Sequence, residues 1–274
     1  TSKFNNNMNF KKLLIIFSLI ILVSGCIGGG SSTPDIGSST VFGATWTSDG
    51  KFGGAYSFDG SNDWVKVDYS SEIALSDAIT VSAWVKVNSF DDWQQIVMKG
   101  DNNPKGDRDY QLQIGKAGTT YSKKAAFGDG STVVKGSTIL LENTWYHLVG
   151  VYDGSELKIY LNGNLDGTLS YPGAFPTSNN YLAIGRLGTV NAEYFDGTID
   201  EVKIYNKTLT GTQISTLYNG GEVSGAVLAL GFNTAASENV ESSSSDSISE
   251  SDVSDFLADS IKDALGFNTA ASEN

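Results

Sequence analysis

The segment 143–163 constrains the fold of this chain more than any other stretch. It reads NTWYHLVGVYDGSELKIYLNG, with aromatic or aliphatic residues alternating along two runs that flank Asp153-Gly154-Ser155. A period of two places successive side chains on opposite faces of a strand, and Asp and Gly favour a tight turn between strands. The pattern predicts a β-hairpin. Because an isolated hairpin is only marginally stable in water, this one must lie in a larger sheet whose apolar face is covered.

Short apolar runs separated by turn residues continue through most of the chain. The sequence contains 31 glycines and 4 prolines, and 40% of its residues are hydrophobic, which is enough for a core. Many short strands between Asp-Gly and Asn-Gly turns are typical of an all-β sandwich. We therefore predict two antiparallel sheets and little helix, apart from a short helix at 208–217 that closes the domain.

A family resemblance rests on the central hairpin together with four further segments in a fixed order. The central hairpin is preceded by GKFGGAYSFDGSNDWVKV at 50–67 and ITVSAWVKV at 79–87, and it is followed by YLAIGR at 181–186 and YFDGTIDEVKIYNKTLTGTQISTLY at 194–218. In this order they resemble LamG-like (concanavalin A-like) domains over residues 41–221. The resemblance implies a two-sheet antiparallel jelly-roll sandwich in which an early strand lies beside the last strand. It says little about function, because this fold hosts many activities.

The N-terminal residues 1–26 are predicted to be a signal peptide with a lipobox. Lys11 and Lys12 precede the apolar run Leu13–Val23, which is shorter than the span of about 20 residues that crosses a membrane. The sequence VSGC that ends at Cys26 resembles the lipobox of prokaryotic lipoproteins. This resemblance implies that Cys26 is lipidated and that the secreted protein is anchored at the extracellular face of the cell membrane. The alternative is an uncleaved signal anchor in which Cys26 is a buried side chain.

Two segments flank the predicted jelly roll at 41–221. Residues 27–40 are rich in Gly and Ser and are predicted to be a flexible linker. Residues 222–274 are acidic and of low complexity, which predicts a largely disordered tail with a possible short amphipathic helix at 252–265. The segment ALGFNTAASEN occurs twice, at 229–239 and at 264–274. No function follows from this repeat.

Oxygen-bearing side chains cluster in a tight predicted loop at 59–63, between two predicted strands of the jelly roll. Asp59, Asn62 and Asp63 lie within one turn, and Ca²⁺ binds about six to eight oxygen ligands of this kind. The family resemblance implies a calcium ion between this loop and the Asp of the GTIDEV segment, which is Asp200. The predicted metal site is therefore Asp59, Asn62, Asp63 and Asp200. The alternative is that the loop residues are only turn formers and that Asp200 caps a backbone or pairs with a lysine.

Aromatic side chains outside the alternating strands are candidates for stacking against sugars. Trp93 follows two aspartates in a turn-like stretch, and Tyr194 is flanked by polar residues. Arg186, directly after the YLAIG strand, is a candidate contact for an acidic ligand. Trp93, Tyr194 and Arg186 are therefore the predicted ligand-binding residues. The alternatives are rim or core packing for the two rings and a plain surface charge for the arginine.

Catalysis is not predicted from the sequence. Glucanases of the family that this chain resembles use paired carboxylates about 5–10 Å apart. The sequence contains no run of alternating acidic residues along one strand that would supply such a pair. Asp196, Asp200 and Glu201 form the nearest cluster, with the wrong spacing. His147, the single histidine, has no Ser or Cys partner in a recognisable motif, so we predict a packed side chain. The expectation is that the protein is not an enzyme.

The sequence thus predicts a lipid-anchored surface protein that carries one binding module. The first candidate partner is an extracellular glycan, in adhesion or polysaccharide capture, and the second is a surface protein of the cell envelope. A divergent glycoside hydrolase is the third hypothesis. The formal net charge of −13 argues against nucleic acid, because binding phosphates requires basic side chains.

Overall fold

The computed structural model describes residues 39–101 and 108–232. This part of the chain forms strands, a 3-10 turn at Ser71–Ile73 and one α-helix, α1, at Gly211–Tyr218. The strands are β1 (Ser39–Phe42), β2 (Thr45–Thr47), β3 (Ala55–Asp59), β4 (Trp64–Val67), β5 (Ile79–Val87), β6 (Gln94–Gly100), β7 (Arg108–Ile114), β8 (Ala125–Gly128), β9 (Val133–Lys135), β10 (Trp145–Tyr152), β11 (Glu156–Leu161), β12 (Asn164–Ser170), β13 (Leu182–Ile184), β14 (Asp196–Tyr205) and β15 (Ala226–Leu230).

The strands form two antiparallel sheets that share one core. The seven-stranded sheet has the order β1-β4-β13-β6-β7-β8-β9, and the second sheet has the order β12-β11-β10-β5-β14-β3-β2, with β15 paired to β14. The early strand β3 lies beside the last long strand β14, as the resemblance implied. The predicted all-β, two-sheet jelly-roll sandwich is confirmed.

The hairpin predicted at 143–163 is formed by β10 and β11 of the second sheet. Leu148 and Tyr152 of β10 point into the core between the two sheets. Val149 and Val151 point to the opposite face, where residues of α1 cover them. Both faces of β10 are therefore buried, which explains why apolar residues occupy both registers of this strand.

Gly150 lies where the other sheet touches β10. A Cβ atom at this position would lie 2.2 Å from ring carbons of Phe127 on β8. Phe127 is fully buried between the sheets. Glycine at position 150 is therefore required for the close approach of the two sheets.

The helix α1 closes the domain as predicted, and its start is set by a capping box. The Thr210 side chain accepts a hydrogen bond from the N–H of Gln213, and the Gln213 side chain accepts one from the N–H of Thr210. These bonds satisfy backbone groups that the first turn of a helix leaves without partners. Ile214 and Leu217 then bury the apolar side of the helix against β10.

The sandwich extends past the boundary predicted at residue 221. Strand β15 pairs with β14, although it lies in the segment predicted to be a disordered tail. Leu228 is 1% exposed, and Phe232 packs edge-on against Tyr56. The prediction was wrong for 222–232 because it weighed the acidic composition of the whole tail. The short apolar run AVLAL gains its stability from pairing and burial, which composition does not register.

Several predicted segments lie outside the described residues. These are the signal peptide, Cys26, residues 27–38 of the linker, the second copy of the repeat and the helix at 252–265. The last two predicted linker residues, Ser39 and Thr40, belong to β1. Among the residues that the structure describes, no helix is both long and apolar enough to cross a membrane.

A buried ion pair ties the loop before β13 to two strands of the seven-stranded sheet. Lys99 of β6 and Asp109 of β7 have side chains that are 0% and 1% exposed, with 2.8 Å between Nζ and Oδ2. Lys99 Nζ also donates to the carbonyl oxygen of Ser178. The N–H and the hydroxyl of Ser178 both donate to Asp109 Oδ2. The ion pair therefore holds three chain segments together.

Lys99→Met is expected to destabilise the protein by about 3–5 kcal/mol, because it leaves the Asp109 carboxylate buried without its cation. The double variant Lys99→Met/Asp109→Leu removes the unpaired charge and is expected to recover part of that loss. Lys66→Met is the matched control, since Lys66 and Asp68 form a partly exposed pair, and ion pairs in contact with solvent contribute at most about 1 kcal/mol. Urea unfolding measures the free energy of unfolding of all three variants. A double variant that is less stable than the single one would contradict this account.

Candidate functional site

Three of the four predicted calcium ligands share the β3–β4 loop. Asp59 Oδ1 accepts hydrogen bonds from the N–H groups of Ser61 and Asn62, and Asp63 Oδ2 accepts one from the N–H of Asp59. Burial and the nearby Asp59 carboxylate raise the pKa of Asp63. Adjacent carboxylates repel each other, and a bound cation would relieve that repulsion. Asp59, Asn62 and Asp63 therefore fit a cation site in their donor chemistry.

Asp200, the fourth predicted ligand, lies apart from this loop. Asp196 pairs with Asp59 in the β3–β14 ladder, and Asp200 is four residues further along β14, about 13 Å away at the usual rise of a strand. Its fully buried carboxylate accepts hydrogen bonds from three backbone N–H groups, those of Lys51, Phe52 and Glu201. The predicted set of four does not form one site. Across residues 39–101 and 108–232, no group of three or more His, Cys, Asp or Glu is placed to hold a metal ion.

His147 is packed within the second sheet, as predicted. It is 1% exposed, its Nε2 lies 2.9 Å from the hydroxyl of Ser82, and its ring lies against Trp84. Burial, together with the charge of Lys203, lowers the pKa of His147 to about 3. The imidazole is therefore neutral near pH 7 and shielded from any substrate.

A polar surface lies on the outer face of the seven-stranded sheet, the face turned away from the core. On β7, Leu112 and Ile114 point into the core, so strand alternation turns Gln111 and Gln113 outward. Gln113 lies opposite Gln95 of β6 in the ladder. We call the surface built on Gln95, Gln111 and Gln113 the polar face.

The segment between β13 and β14 folds over the polar face. Glu193 Oε2 accepts a hydrogen bond of 2.7 Å from Gln95 Nε2, which also donates to Gln113 Oε1 at 2.6 Å. Gly188 lies over Met98, since a Cβ at position 188 would be 3.0 Å from the Met98 Cε. The three glutamines of the polar face are consequently buried, although they point away from the core.

Arg108 covers one end of the polar face. Its Nη1 donates to Gln111 Oε1 at 2.7 Å, and its side chain crosses the β8–β9 turn at Gly130. Burial lowers the pKa of Arg108, whereas the carboxylates of Glu193 and Asp129 raise it. The guanidinium thus lies in the field of two carboxylates.

Trp93 directly precedes β6 at the other end of the polar face, two residues before Gln95. Its ring packs edge-on against Tyr121, with 5.2 Å between the ring centroids. Lys135 Nζ lies 4.6 Å from the centroid of the Tyr121 ring. Both rings are half-buried, so each leaves part of its apolar surface in contact with solvent.

Arg186 and Tyr194, the other predicted ligand-binding residues, lie at the two ends of the segment that covers the polar face. Arg186 is 6% exposed, and its guanidinium carbon lies 3.5 Å from the centroid of the Trp64 ring. It donates hydrogen bonds to Tyr181 Oη and Asn191 Oδ1. These contacts hold the covering segment in place. Tyr194 is half-buried beside Glu193.

Sequence reasoning missed the three glutamines of the polar face, Gln95, Gln111 and Gln113. It also missed the two charged residues that contact them, Arg108 and Glu193. The strand RDYQLQI at 108–114 did contain a signal, because its glutamines alternate with core residues. No local pattern indicates that Glu193 folds onto Gln95, which is 98 residues away in the chain.

A concave surface lies between α1 and the β11–β12 turn. It is an open groove of about 660 Å³ whose lining consists of Gly, Asn, Thr and Ser residues, Thr212, Ser215 and Asn219 among them. Its lining contains neither an aromatic ring nor a charged group. The polar face has an aromatic ring pair and charged side chains around it, and it is the stronger candidate for ligand binding.

Comparison with known proteins agrees with this architecture. Residues 59–215, more than half of the chain, match the sequence profile of the concanavalin A-like lectin/glucanases superfamily. The chain belongs to this superfamily. No curated protein sequence matches the chain.

Two solved structures illustrate the structural similarity. Domain 4 of AbnA, a GH43 extracellular arabinanase from Geobacillus stearothermophilus solved in complex with arabinotriose, superposes with a TM-score of 0.55 at 23% identity, covering 68% of this chain and 91% of that one. A candidate carbohydrate-binding protein from Bacteroides ovatus superposes with a TM-score of 0.54 at 25% identity, covering 65% of this chain. The match spans 50% of the Bacteroides protein. The fold of this chain is thus shared with both of these structures.

His147 and Asp200 are expected to influence stability at acid pH in opposite directions. The folded pKa of His147 is about 3, below the unfolded value of about 6.5, so the unfolded chain binds more protons and stability falls on acidification below pH 6.5. Burial raises the pKa of Asp200 to about 6, above the unfolded value of about 3.9. The folded chain therefore binds the Asp200 proton first, and this contribution to stability is lost as the pH rises from 4 to 6.

His147→Gln is expected to become more stable relative to the unsubstituted protein as the pH falls from 7 to 4.5. The gain is at most about 1.4 kcal/mol per pH unit. Asp200→Asn should show the reverse trend. Urea unfolding at pH 7, 5.5 and 4.5 measures both differences, and differences that do not change with pH would contradict the assignment.

Proposed function

We propose that this domain is a non-catalytic glycan-binding module and that the glycan binds at the polar face. The observation that carries the proposal is the placement of ordered amides, a carboxylate and the Trp93–Tyr121 ring pair on one face of one sheet. Sugars present hydroxyl groups at their edges and apolar C–H groups on their faces. Amides and carboxylates pair with the hydroxyl groups, and aromatic rings stack against the C–H groups.

The structural relatives support this choice of ligand class. One of them is a domain of an arabinanase that was solved with arabinotriose, and the other is a candidate carbohydrate-binding protein. At these identities the comparison speaks for the fold, and the fold alone does not specify a ligand. The ligand proposal for this chain therefore rests on the chemistry of the polar face.

Catalysis is not part of the proposal, because the nearest acid cluster in the sequence is committed to other contacts. Asp200 is buried and bonded to backbone N–H groups. Glu201 pairs with Lys203 at 2.8 Å, and Asp196 Oδ1 accepts a hydrogen bond from Asn88. A glycosidase needs two carboxylates that flank the scissile bond, and these three residues do not offer such a pair.

The proposed location is the extracellular face of the cell membrane. The support is the basic and apolar segment before VSGC, which resembles a signal peptide with a lipobox. Cys26 would carry the lipid, and the glycan-binding domain would follow after a short Gly/Ser-rich linker. An intact mass from the native host that shows an unmodified Cys26 would contradict the anchor.

Calcium stabilisation remains a proposal, restricted to the β3–β4 loop. Asp59, Asn62 and Asp63 would hold the ion, and its charge would offset the repulsion between the two carboxylates. If the ion is bound, EGTA should lower the melting temperature of the protein, and excess CaCl₂ should restore it. Asp63→Asn should then melt at the same temperature with and without EGTA. No effect of EGTA on the unsubstituted protein would remove calcium from the proposal.

Trp93→Ala is expected to weaken glycan binding about 10-fold, or by about 1.4 kcal/mol, because it removes the stacking surface beside Gln95. A glycan array with the full chain would identify a ligand, and calorimetric titration would measure its affinity. Trp145→Ala is the matched control, because Trp145 packs beneath Lys86 on the other sheet. Equal losses in both variants, or unchanged affinity in Trp93→Ala, would place the site elsewhere.

A folded protein that binds no glycan would favour the second hypothesis, a protein partner in the cell envelope. The loop before β10 is the surface to test in that case. Ile139 and Leu141 are 60% and 64% exposed there, and exposed apolar side chains close together are common at protein contacts. Charged substitutions at these two positions would then be expected to abolish capture of the partner.

A further inference from the structure

Glu193 is held over the polar face by several independent contacts. Its backbone has φ of +52°, a left-handed conformation that is strained for a residue other than glycine and persists only where neighbours enforce it. The hydrogen bonds between Leu187 and Ala192 and between Phe195 and Gly185 fix the segment on both sides. Arg186 adds its bond to Asn191. The carboxylate of Glu193 is therefore ordered before any ligand arrives.

Gln95 fixes the direction of the Glu193 carboxylate from below. Its Nε2 donates both to Glu193 Oε2 and to Gln113 Oε1. Rotating the amide by half a turn would place Gln95 Oε1 against two acceptor oxygens, so the orientation is determined by its partners. The amide leaves one carboxylate oxygen, Glu193 Oε1, outside this pair of hydrogen bonds.

Gln95 Oε1 is buried without a hydrogen-bond partner in the described part of the chain. A buried acceptor without a donor lowers the stability of the folded state. A hydroxyl donor that reaches this oxygen would remove the cost. The polar face therefore presents the half-buried Glu193 carboxylate to a ligand that brings O–H groups, above a buried acceptor, Gln95 Oε1, whose hydrogen-bonding capacity is unused among the described residues.

The charges around this position disfavour an acidic ligand. The Glu193 and Asp129 carboxylates raise the pKa of Arg108 against the effect of its burial, so two carboxylates act on one guanidinium here. The other cation of this surface, Lys135, lies at the far end beside Tyr121. A uronate or a sulfate placed beside Glu193 would meet a like charge in a partly buried setting, where repulsion is weakly screened. A neutral sugar meets no such penalty.

We propose that Glu193 is the hydroxyl-binding carboxylate of the site, that Gln95 positions it, and that the ligand is a neutral saccharide with adjacent free hydroxyl groups. This inference rests on the proposed function, because it specifies the ligand of the same polar face. A carboxylate can accept hydrogen bonds from two neighbouring hydroxyl groups at once.

The ligand side of the proposal can be tested without any substitution. The full chain would be titrated with the best neutral glycan from the array, with its O-methylated form and with its uronic acid counterpart. We expect the O-methylated and uronic acid forms to bind at least about 10-fold more weakly, because each removes a donor or adds a like charge. Equal or tighter binding of the uronic acid form would overturn the proposal.

Glu193→Gln keeps the shape of the side chain and removes its charge. We expect about 10-fold weaker binding of the neutral glycan and a smaller preference over the uronic acid form, with an unchanged melting temperature. Glu156→Gln is the matched control, because Glu156 is a partly exposed acid on β11 of the other sheet. It is expected to bind as the unsubstituted protein does.

Gln95→Met tests the positioning role. Loss of the amide should weaken binding of the neutral glycan when Glu193 is present. In the double variant Gln95→Met/Glu193→Gln, it should have little effect beyond that of Glu193→Gln alone. If Trp93→Ala abolishes binding while Glu193→Gln leaves both affinity and preference unchanged, the glycan site stands and the role of Glu193 is refuted. If the folded chain binds no glycan at all, the proposed function and this inference fail together.

Discussion

Packing of the two inner sheet faces is the constraint on which the rest of this structure depends. Each strand that buries every second side chain in the core must turn the others outward. On β7 the burial of Leu112 and Ile114 therefore determines that Gln111 and Gln113 face away from the core. The candidate binding surface is in this sense a consequence of the core. Chemistry on the outer face can vary as long as the inner residues stay apolar, which is one reason why the fold hosts many functions.

The two outer faces of the sandwich are used differently. On the second sheet, α1 covers Val149 and Val151 and builds a small second apolar cluster. On the seven-stranded sheet, the covering segment brings Glu193 onto Gln95, and the cluster there is polar. An apolar cover stabilises the fold, whereas ordered polar groups beneath a cover cost stability unless each finds a partner. Among residues 39–101 and 108–232, Gln95 Oε1 finds no hydrogen-bond partner, which is one of the observations behind the proposal that a ligand binds at this surface.

The acidic residues of the chain show how burial separates chemical roles that look alike in the sequence. Asp63 shares a loop with Asp59, and their mutual repulsion suits a cation. Asp200 has the same side chain but is fully buried, with its oxygens bonded to backbone N–H groups. Glu193 is held by one amide and retains an oxygen for other partners. Identity of residue type therefore does not assign a role until the surroundings are known.

By itself the sequence determined the two-sheet architecture, the central hairpin and the closing helix. These features are written in local patterns, namely alternation along a strand, Asp-Gly turns and the Thr210–Gln213 capping box, and such patterns act between residues that are close in the chain. Tertiary structure alone decided that Asp200 lies apart from the β3–β4 loop, that AVLAL becomes strand β15, and that Glu193 meets Gln95. Each of these outcomes depends on the order of the strands and on contacts between segments that are distant in the chain. Strand order and distant contacts are determined by the burial of a common core, which no local pattern encodes.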